Sequence, residues 1–251
     1  MITYKPQGRL GNALFQAAAC IGYCNLHGLT FSMPSKTNDQ KWNPLYFPAL
    51  IKRDYNLTLP QIVLRELAHN YNALPFKEKY RQWNVILEGY FQSEKYFAHC
   101  KDEVIKAFDL PYQPLYGYVG IHVRRGDYLQ YPNKHILQSS EWLRNAIYYF
   151  VGCGYKSFVV CSDDIKWCKE TLNPLRVGSL EFSYSENNDE IADLALLSCC
   201  EHNINSSSTF SWWASYLNQN PNKIIVTPEK WFGPGEKLST VDIIPDQWIK
   251  M

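Results

Sequence analysis

Tyr116-Gly117-Tyr118-Val119-Gly120-Ile121-His122-Val123-Arg124-Arg125-Gly126-Asp127-Tyr128 is an aromatic and β-branched run that ends in two adjacent arginines, a glycine and a carboxylate. Composition of this kind reads as a β-strand, and Gly126 suits a sharp turn that needs a positive φ. His122, Arg124 and Asp127 then gather at a strand's C-terminal end, where open α/β sheets bind ligands. A guanidinium holds five donors in a fixed fork and keeps its charge, so it grips phosphate oxygens in a way lysine cannot. Side chains alternate along a strand, which gives Arg124 and Arg125 different partners: one meets a ligand, the other an internal carboxylate. A surface ion-pair cluster is the plainer account of an isolated Arg-Arg pair.

The rest of the chain alternates strand and helix around this segment. Upstream, strand Ile2–Tyr4 leads through a glycine turn to a helix from about Asn12 to His27, with Leu14, Ala17, Ala18 and Ile21 on one face, and then to strand Leu29–Met33. Gly8 and Gly11 let the turn's amides approach a ligand, or simply allow tight packing. From Pro34 to Asn84 prolines and aromatics are frequent and periodicity is poor, so short elements and long loops are expected there. Strand Val85–Tyr90 and a helix over Ser93–Phe108 follow, and Pro111 and Pro114 mark a linker.

Downstream come strand 116–123, helix 140–151, strand Ser157–Cys161 and a short helix through Trp167. A helix over Glu190–Cys200, opened by an Asn187/Glu190 capping box, precedes strand Asn203–Asn205, a serine-rich turn, a helix from about Phe210 to Asn218 and strand Lys223–Thr227. Such alternation calls for parallel, doubly wound sheets. The expected division is residues 1–112 and 113–251, two compact halves.

Composition excludes several classes. A net charge of +1 argues against a general nucleic-acid surface or a polybasic membrane patch, so any positive field is local. No run approaches the roughly 20 apolar residues of a transmembrane helix, and Met1–Pro6 lacks the apolar core of a signal peptide. The expected location is cytosolic, free or peripheral at the membrane's cytosolic face. The 8 cysteines lie in apolar stretches without a Cys-x-x-Cys pair and read as reduced thiols. Cys199-Cys200-Glu201-His202 reads as core packing, because adjacent residues cannot easily all face one ion. No Asp-x-Asp occurs, so no metal and no resident cofactor are expected.

Four segments carry a resemblance. His122-Val123-Arg124-Arg125-Gly126-Asp127-Tyr128 resembles the hallmark of the fucosyltransferase superfamily, and Gly8–Gln16, Cys161–Cys168 and Ser207–Asn218 resemble further signatures of the α-1,2-fucosyltransferases of glycosyltransferase family 11, in family order. The resemblance implies a GT-B-like fold: two facing Rossmann-like domains with parallel sheets, the donor in the C-terminal half and the acceptor in the cleft. It implies GDP-fucose as co-substrate, a galactose-containing glycan as acceptor, and inversion at the anomeric carbon.

Residue roles follow. Ser206-Ser207-Ser208-Thr209 precedes a helix, so hydroxyls and free amides meet at an anion-binding terminus, although N-capping needs only one of them. The resemblance assigns Ser208, Thr209 and Ser211 to the donor β-phosphate, with Arg124, and places Asn12 on the same phosphate. Trp212 and Trp213 read as core rather than as a sugar platform. Asp163 and Asp164 directly follow a strand, and a carboxylate matches the paired N–H groups of guanine. Resemblance to the α-1,6-fucosyltransferases implies that one of the pair holds guanine, and Asp164 is preferred, with helix capping by Asp163 or Ser162. His122 meets the nucleotide or holds a core hydrogen bond. Asp127 is the nearest carboxylate for a general base, or it pairs with Arg125. Asp189 and Asp193 read as exposed or ion-paired helix residues. The same donor site with another GDP-sugar, and a non-catalytic glycan-binding protein, are the alternatives.

Overall fold

A computed structural model of the protein describes residues 1–33, 47, 58–67, 69–108, 110–175 and 179–251. It divides into two compact units: Met1–Asp109 with Leu238–Pro245, and Leu110–Lys237 with Asp246–Met251. The return of Leu238–Pro245 to the first unit is a feature that a single cut in the chain does not contain. No helix among the described residues is long and apolar enough to cross a membrane.

The first unit is built on a parallel sheet of three strands, β1 (Ile2–Tyr4), β3 (Asn84–Glu88) and β2 (Gln61–Arg65), in that spatial order. Helix α1 (Leu10–His27) follows β1 and ends on Gly28, whose φ of 59° is the left-handed conformation that closes helices. Leu10, Leu14, Phe15, Ala17, Ala18 and Cys20 are all buried, so α1 is apolar on most of its circumference and lies within the core. Gln16 is buried with it and donates to the carbonyls of Gln7 and Gly89, tying α1 to the ends of β1 and β3.

Three expectations change here. Among the described residues Leu29–Met33 forms a single bridge, Ile2 to Phe31, in place of a strand. Strand β2 lies in the stretch read as irregular. The helix expected over Ser93–Phe108 is two 3-10 turns, Glu94–Tyr96 and Ala98–Cys100, followed by α2 (Lys101–Phe108). Packing explains the broken helix: the Tyr96 carbonyl presses onto α1 at Gly22, where a Cβ would lie 2.1 Å away. Much of the stretch from 34 to 57 lies outside the described residues.

The second unit carries a six-stranded, wholly parallel sheet in the order β6-β5-β4-β7-β8-β9. Its strands are β4 (Leu115–Val123), β5 (Ser157–Ser162), β6 (Glu181–Tyr184), β7 (Cys200–Ile204), β8 (Ile225–Thr227) and β9 (Ile249–Lys250). Numbered within the unit, this is the 3-2-1-4-5-6 order of a dinucleotide-binding fold, with its reversal between β4 and β7. Helices α3 (Ser140–Gly152), α4 (Ile165–Leu172), α5 (Glu190–Cys199) and α6 (Thr209–Leu217) supply the crossovers.

Strand alternation sorts the faces. Val119, Ile121 and Val123 pack with Leu143, Ile147 and Phe150 of α3. Gly120 and His122 point the other way; a Cβ at Gly120 would crowd Leu197, Cys200 and Asn203, so the glycine lets α5 close on the sheet. Trp212 and Trp213 are both 0% exposed, which makes them core. The cap of α5 is Asp189, whose Oδ1 accepts from Ala192 N at 2.8 Å, rather than the expected Asn187/Glu190 box. All 8 cysteines are free thiols.

Candidate active site

Strand order reverses between β4 and β7, so the crossovers leaving these parallel strands part, and the switch point beyond their carboxyl ends is where open α/β sheets bind ligands. Two loops border it: residues 124–128 after β4 and 205–211 after β7. Hydrogen bonds tie the end of β4 and its loop to the segment after β7. His122 Nδ1 and Ser206 Oγ lie 2.7 Å apart, and Tyr128 OH donates to the Ser207 carbonyl at 3.1 Å.

Arg124 is clamped by two carboxylates. Its Nη2 donates to Asp127 Oδ1 at 2.5 Å and its Nη1 pairs with Asp163 Oδ2 at 2.9 Å, while its guanidinium carbon stands 5.5 Å from the Tyr128 ring. The side chain is 17% exposed, and its Nε–H has no protein partner among the described residues. A guanidinium held this way keeps one orientation and still has N–H groups to offer an anion.

Arg125 has different partners. Its Nε donates to Asp164 Oδ2 at 3.1 Å, and its guanidinium lies 4.0 Å above the Trp167 ring. The unequal environments of the two arginines follow from alternation, but Asp127 belongs to Arg124, so the expected Arg125–Asp127 pair is replaced by Arg125–Asp164.

Asp163 organises the turn. Its Oδ1 accepts from the Arg125 backbone N–H at 2.8 Å, and its Oδ2 reaches Arg124 and lies against Gly126. Gly126 has a φ of −7°, so the expected positive φ is absent. Glycine is required for a different reason: a Cβ there would stand 2.4 Å from Asp163 Oδ2.

Asp164, not Asp163, caps α4, accepting from Trp167 N at 3.1 Å, while Ser162 Oγ accepts from Asp164 N at 2.9 Å. Each Asp164 oxygen thus already takes one bond.

His122 is 8% exposed, and burial together with the Arg124 charge lowers its pKa to about 3. It is therefore a neutral hydrogen-bonding group in the usual pH range. Its other ring nitrogen, Nε2, holds no protein hydrogen bond among the described residues.

Ser206, Ser207 and Ser208 of the serine-rich turn are buried. Ser208 Oγ caps α6 through Phe210 N, and Thr209 begins the helix half-buried. Ser211 is fully buried, and its hydroxyl bonds the Ser206 and Ser208 carbonyls, each at 3.1 Å. It shapes the turn from within, and Ser208 and Thr209 carry the hydroxyls next to the first turn of α6. Ser207 points into the protein, donating to the Lys230 carbonyl and accepting from Gln138.

Tyr128 and His135, which have no role in the sequence pattern, also lie near these strand ends. Tyr128 stacks on His135, with ring centroids 3.9 Å apart. Asp193, expected to be exposed or ion-paired, is half-buried and accepts from Ser185 Oγ at 2.5 Å, just beyond the end of β6. Its position on α5, one residue before Leu194 in the core, was the available signal. Asn12 lies in the first unit, where its Oδ1 accepts from Gln92 Nε2 at 3.0 Å.

The fold is that of the GT-B class, α/β with parallel sheets. A solved structure of POFUT1 in complex with GDP matches 90% of this chain and 97% of its own with a TM-score of 0.50, at 12% identity. The chain belongs to glycosyl transferase family 11, which it matches over residues 1–250.

Its relatives include the O-antigen biosynthesis glycosyltransferase WbnK of Escherichia coli, 30% identical over 82% of this chain and 70% of that protein. An alpha-1,2-colitosyltransferase of Escherichia coli is 28% identical over 67% of this chain and 63% of that protein. The galactoside alpha-(1,2)-fucosyltransferase 1 of Bos taurus is 28% identical over 86% and 66%. The chain thus spans about two thirds of the length of these relatives.

Proposed function

We propose that this protein is an inverting glycosyltransferase that moves L-fucose from GDP-β-L-fucose to a galactose-terminated glycan, forming an α-1,2 linkage. The observation that carries the reading is the switch point itself. There an arginine fixed by two carboxylates stands at the end of β4, and the hydroxyl-bearing N-terminus of α6 follows the end of β7. Family membership and a relative named for galactoside alpha-(1,2)-fucosyl transfer support the sugar and linkage.

In this reading the C-terminal unit, residues 113–251 in the expected division, binds the GDP-sugar, and residues 1–112 serve the acceptor side. As the anomeric bond to the β-phosphate breaks, negative charge grows on the phosphate oxygens. Arg124, Ser208, Thr209 and the first amides of α6 stabilise that charge more than they stabilise the ground state. Asp127 and Asp163 hold the guanidinium in place, so little reorganisation accompanies the reaction. Family resemblance gives Asn12 a contact with the same phosphate; its Oδ1 accepts from Gln92, which leaves the amide N–H2 as the donor. His122 offers Nε2 to the nucleotide, and Asp164 accepts from guanine on its remaining lone pairs. No metal is required.

Donor choice tests this. GDP-fucose, GDP-mannose and UDP-galactose are offered with lactose, with and without EDTA; GDP-fucose alone should be consumed, at equal rates in both. Preference for another donor, or loss of activity on chelation, refutes it. Another sugar on the same donor site is the second reading, favoured by the alpha-1,2-colitosyltransferase relative.

A further inference from the structure

The proposed transfer leaves one chemical role unfilled, because the carboxylates and the imidazole nearest Arg124 are already engaged. Asp127 has an oxygen on Arg124, Asp163 and Asp164 use both oxygens on the turn and the α4 cap, and His122 is buried and bonded to Ser206. His135 differs from all of these. Its ring nitrogens hold no protein hydrogen bond among the described residues, and neither is sealed from solvent.

The ring is nevertheless firmly placed. It stacks nearly parallel on Tyr128, at 3.9 Å and 9°, and Tyr128 is itself anchored to the Ser207 carbonyl and lies beside the Arg124 guanidinium. The backbone is equally fixed. His135 N donates to the Tyr131 carbonyl at 3.0 Å, and His135 forms an antiparallel bridge with Phe232. Gly233 and Gly235 donate to the carbonyls of Lys134 and Asn133, and a Cβ at Gly233 would stand 2.6 Å from the Asn133 carbonyl oxygen. An accessible imidazole on a rigid turn, one aromatic ring away from the arginine clamp, is what a base needs.

We propose that His135 is the catalytic base, taking the proton from the attacking hydroxyl of the acceptor. The proposal rests on the glycosyl-transfer reading above. The hydroxyl oxygen forms the new bond to the anomeric carbon. The bond from that carbon to the β-phosphate oxygen breaks, and its electron pair leaves with GDP. The hydroxyl proton passes to a His135 ring nitrogen and then to water.

The surrounding charges suit this task. Burial lowers the His135 pKa, Arg124 and Lys134 lower it further, and Asp127 and Glu236 oppose them, while the Tyr128 phenol is held protonated with its pKa raised to about 12. The imidazole is therefore neutral, and able to accept a proton, at neutral pH.

His135→Phe keeps an aromatic ring on Tyr128 and removes both nitrogens; His135→Ala removes both features. With GDP-fucose and lactose, His135→Phe should bind GDP within about threefold of the wild type, melt at the same temperature, and transfer about 100- to 10,000-fold more slowly. The wild-type fall of kcat/KM on the acid side should vanish in this variant, and added imidazole should restore part of the activity of His135→Ala. Transfer by His135→Phe within about threefold of the wild type overturns the proposal and leaves the ring a packing role. A wild-type protein that binds no GDP overturns the transferase reading, and this assignment falls with it.

Discussion

Replacing Gly126 by alanine puts a methyl group where the Asp163 carboxylate now sits. The added Cβ would stand 2.4 Å from Asp163 Oδ2, whereas ordinary contact begins at 3.4 Å, so the carboxylate or the turn moves by about 1 Å. Two interactions depend on that carboxylate: the 2.9 Å pair with Arg124 and the 2.8 Å bond from the Arg125 backbone. A shift of about 1 Å takes both beyond hydrogen-bonding distance. A hydrogen bond to a charged group contributes about 1.5–3 kcal/mol, and partial solvent exposure brings the expected loss to about 1–3 kcal/mol. For a chain of this size that lowers the melting temperature by roughly 2–10 °C. GDP affinity should fall with it, because Arg124 loses one of its two holders. Gly152, the last residue of α3, could carry a Cβ with no atom of the described residues within 4 Å and serves as the control. Gly152→Ala should be neutral or stabilise by up to about 1 kcal/mol. Calorimetric melting and GDP titration read both variants. A Gly126→Ala protein that melts and binds GDP like the wild type would remove Asp163 from the clamp.

Two further outcomes follow from the same geometry. His122 titrates at about 3 in the folded protein against an ordinary 6.5, so the unfolded chain takes up a proton first as pH falls. Its contribution to stability is full above 6.5 and is lost between there and about 3; by pH 5 the loss is about 2 kcal/mol. Denaturant unfolding of the wild type and His122→Asn across pH 5–7.5 should show this slope in the wild type alone, and parallel curves would refute it. Arg125→Lys gives up both the bond to Asp164 and the stack on Trp167. It should cost about 1 kcal/mol of stability while GDP affinity stays close to the wild type, and a large loss of affinity would give Arg125 a ligand role.

The sequence reads well where local pattern and tertiary demand agree. β4, β5 and α3 have the composition and periodicity of the elements they form, and the positions of His122, Arg124 and the serine turn at strand ends follow from them. It reads poorly where a distant partner decides the outcome. The Ser93–Phe108 segment has helical content but gives up its first turns to contact α1 at Gly22. β2 is recognisable only once β3 lies beside it. In the site, the motif showed that two arginines would differ, yet which carboxylate each holds depends on a loop some 40 residues farther along the chain. Gly126 is the clearest case: a turn glycine was legible, but the carboxylate that demands it was not.

The central claim is that Arg124 grips the donor pyrophosphate through a guanidinium fork, and lysine at that position separates fork from charge. Turnover of GDP-fucose by Arg124→Lys, measured beside its melting temperature, is the most direct test. With folding intact, turnover should fall by about two to three orders of magnitude, the scale for losing one transition-state donor. Near-normal turnover in Arg124→Lys would contradict the claim, because charge alone would then suffice.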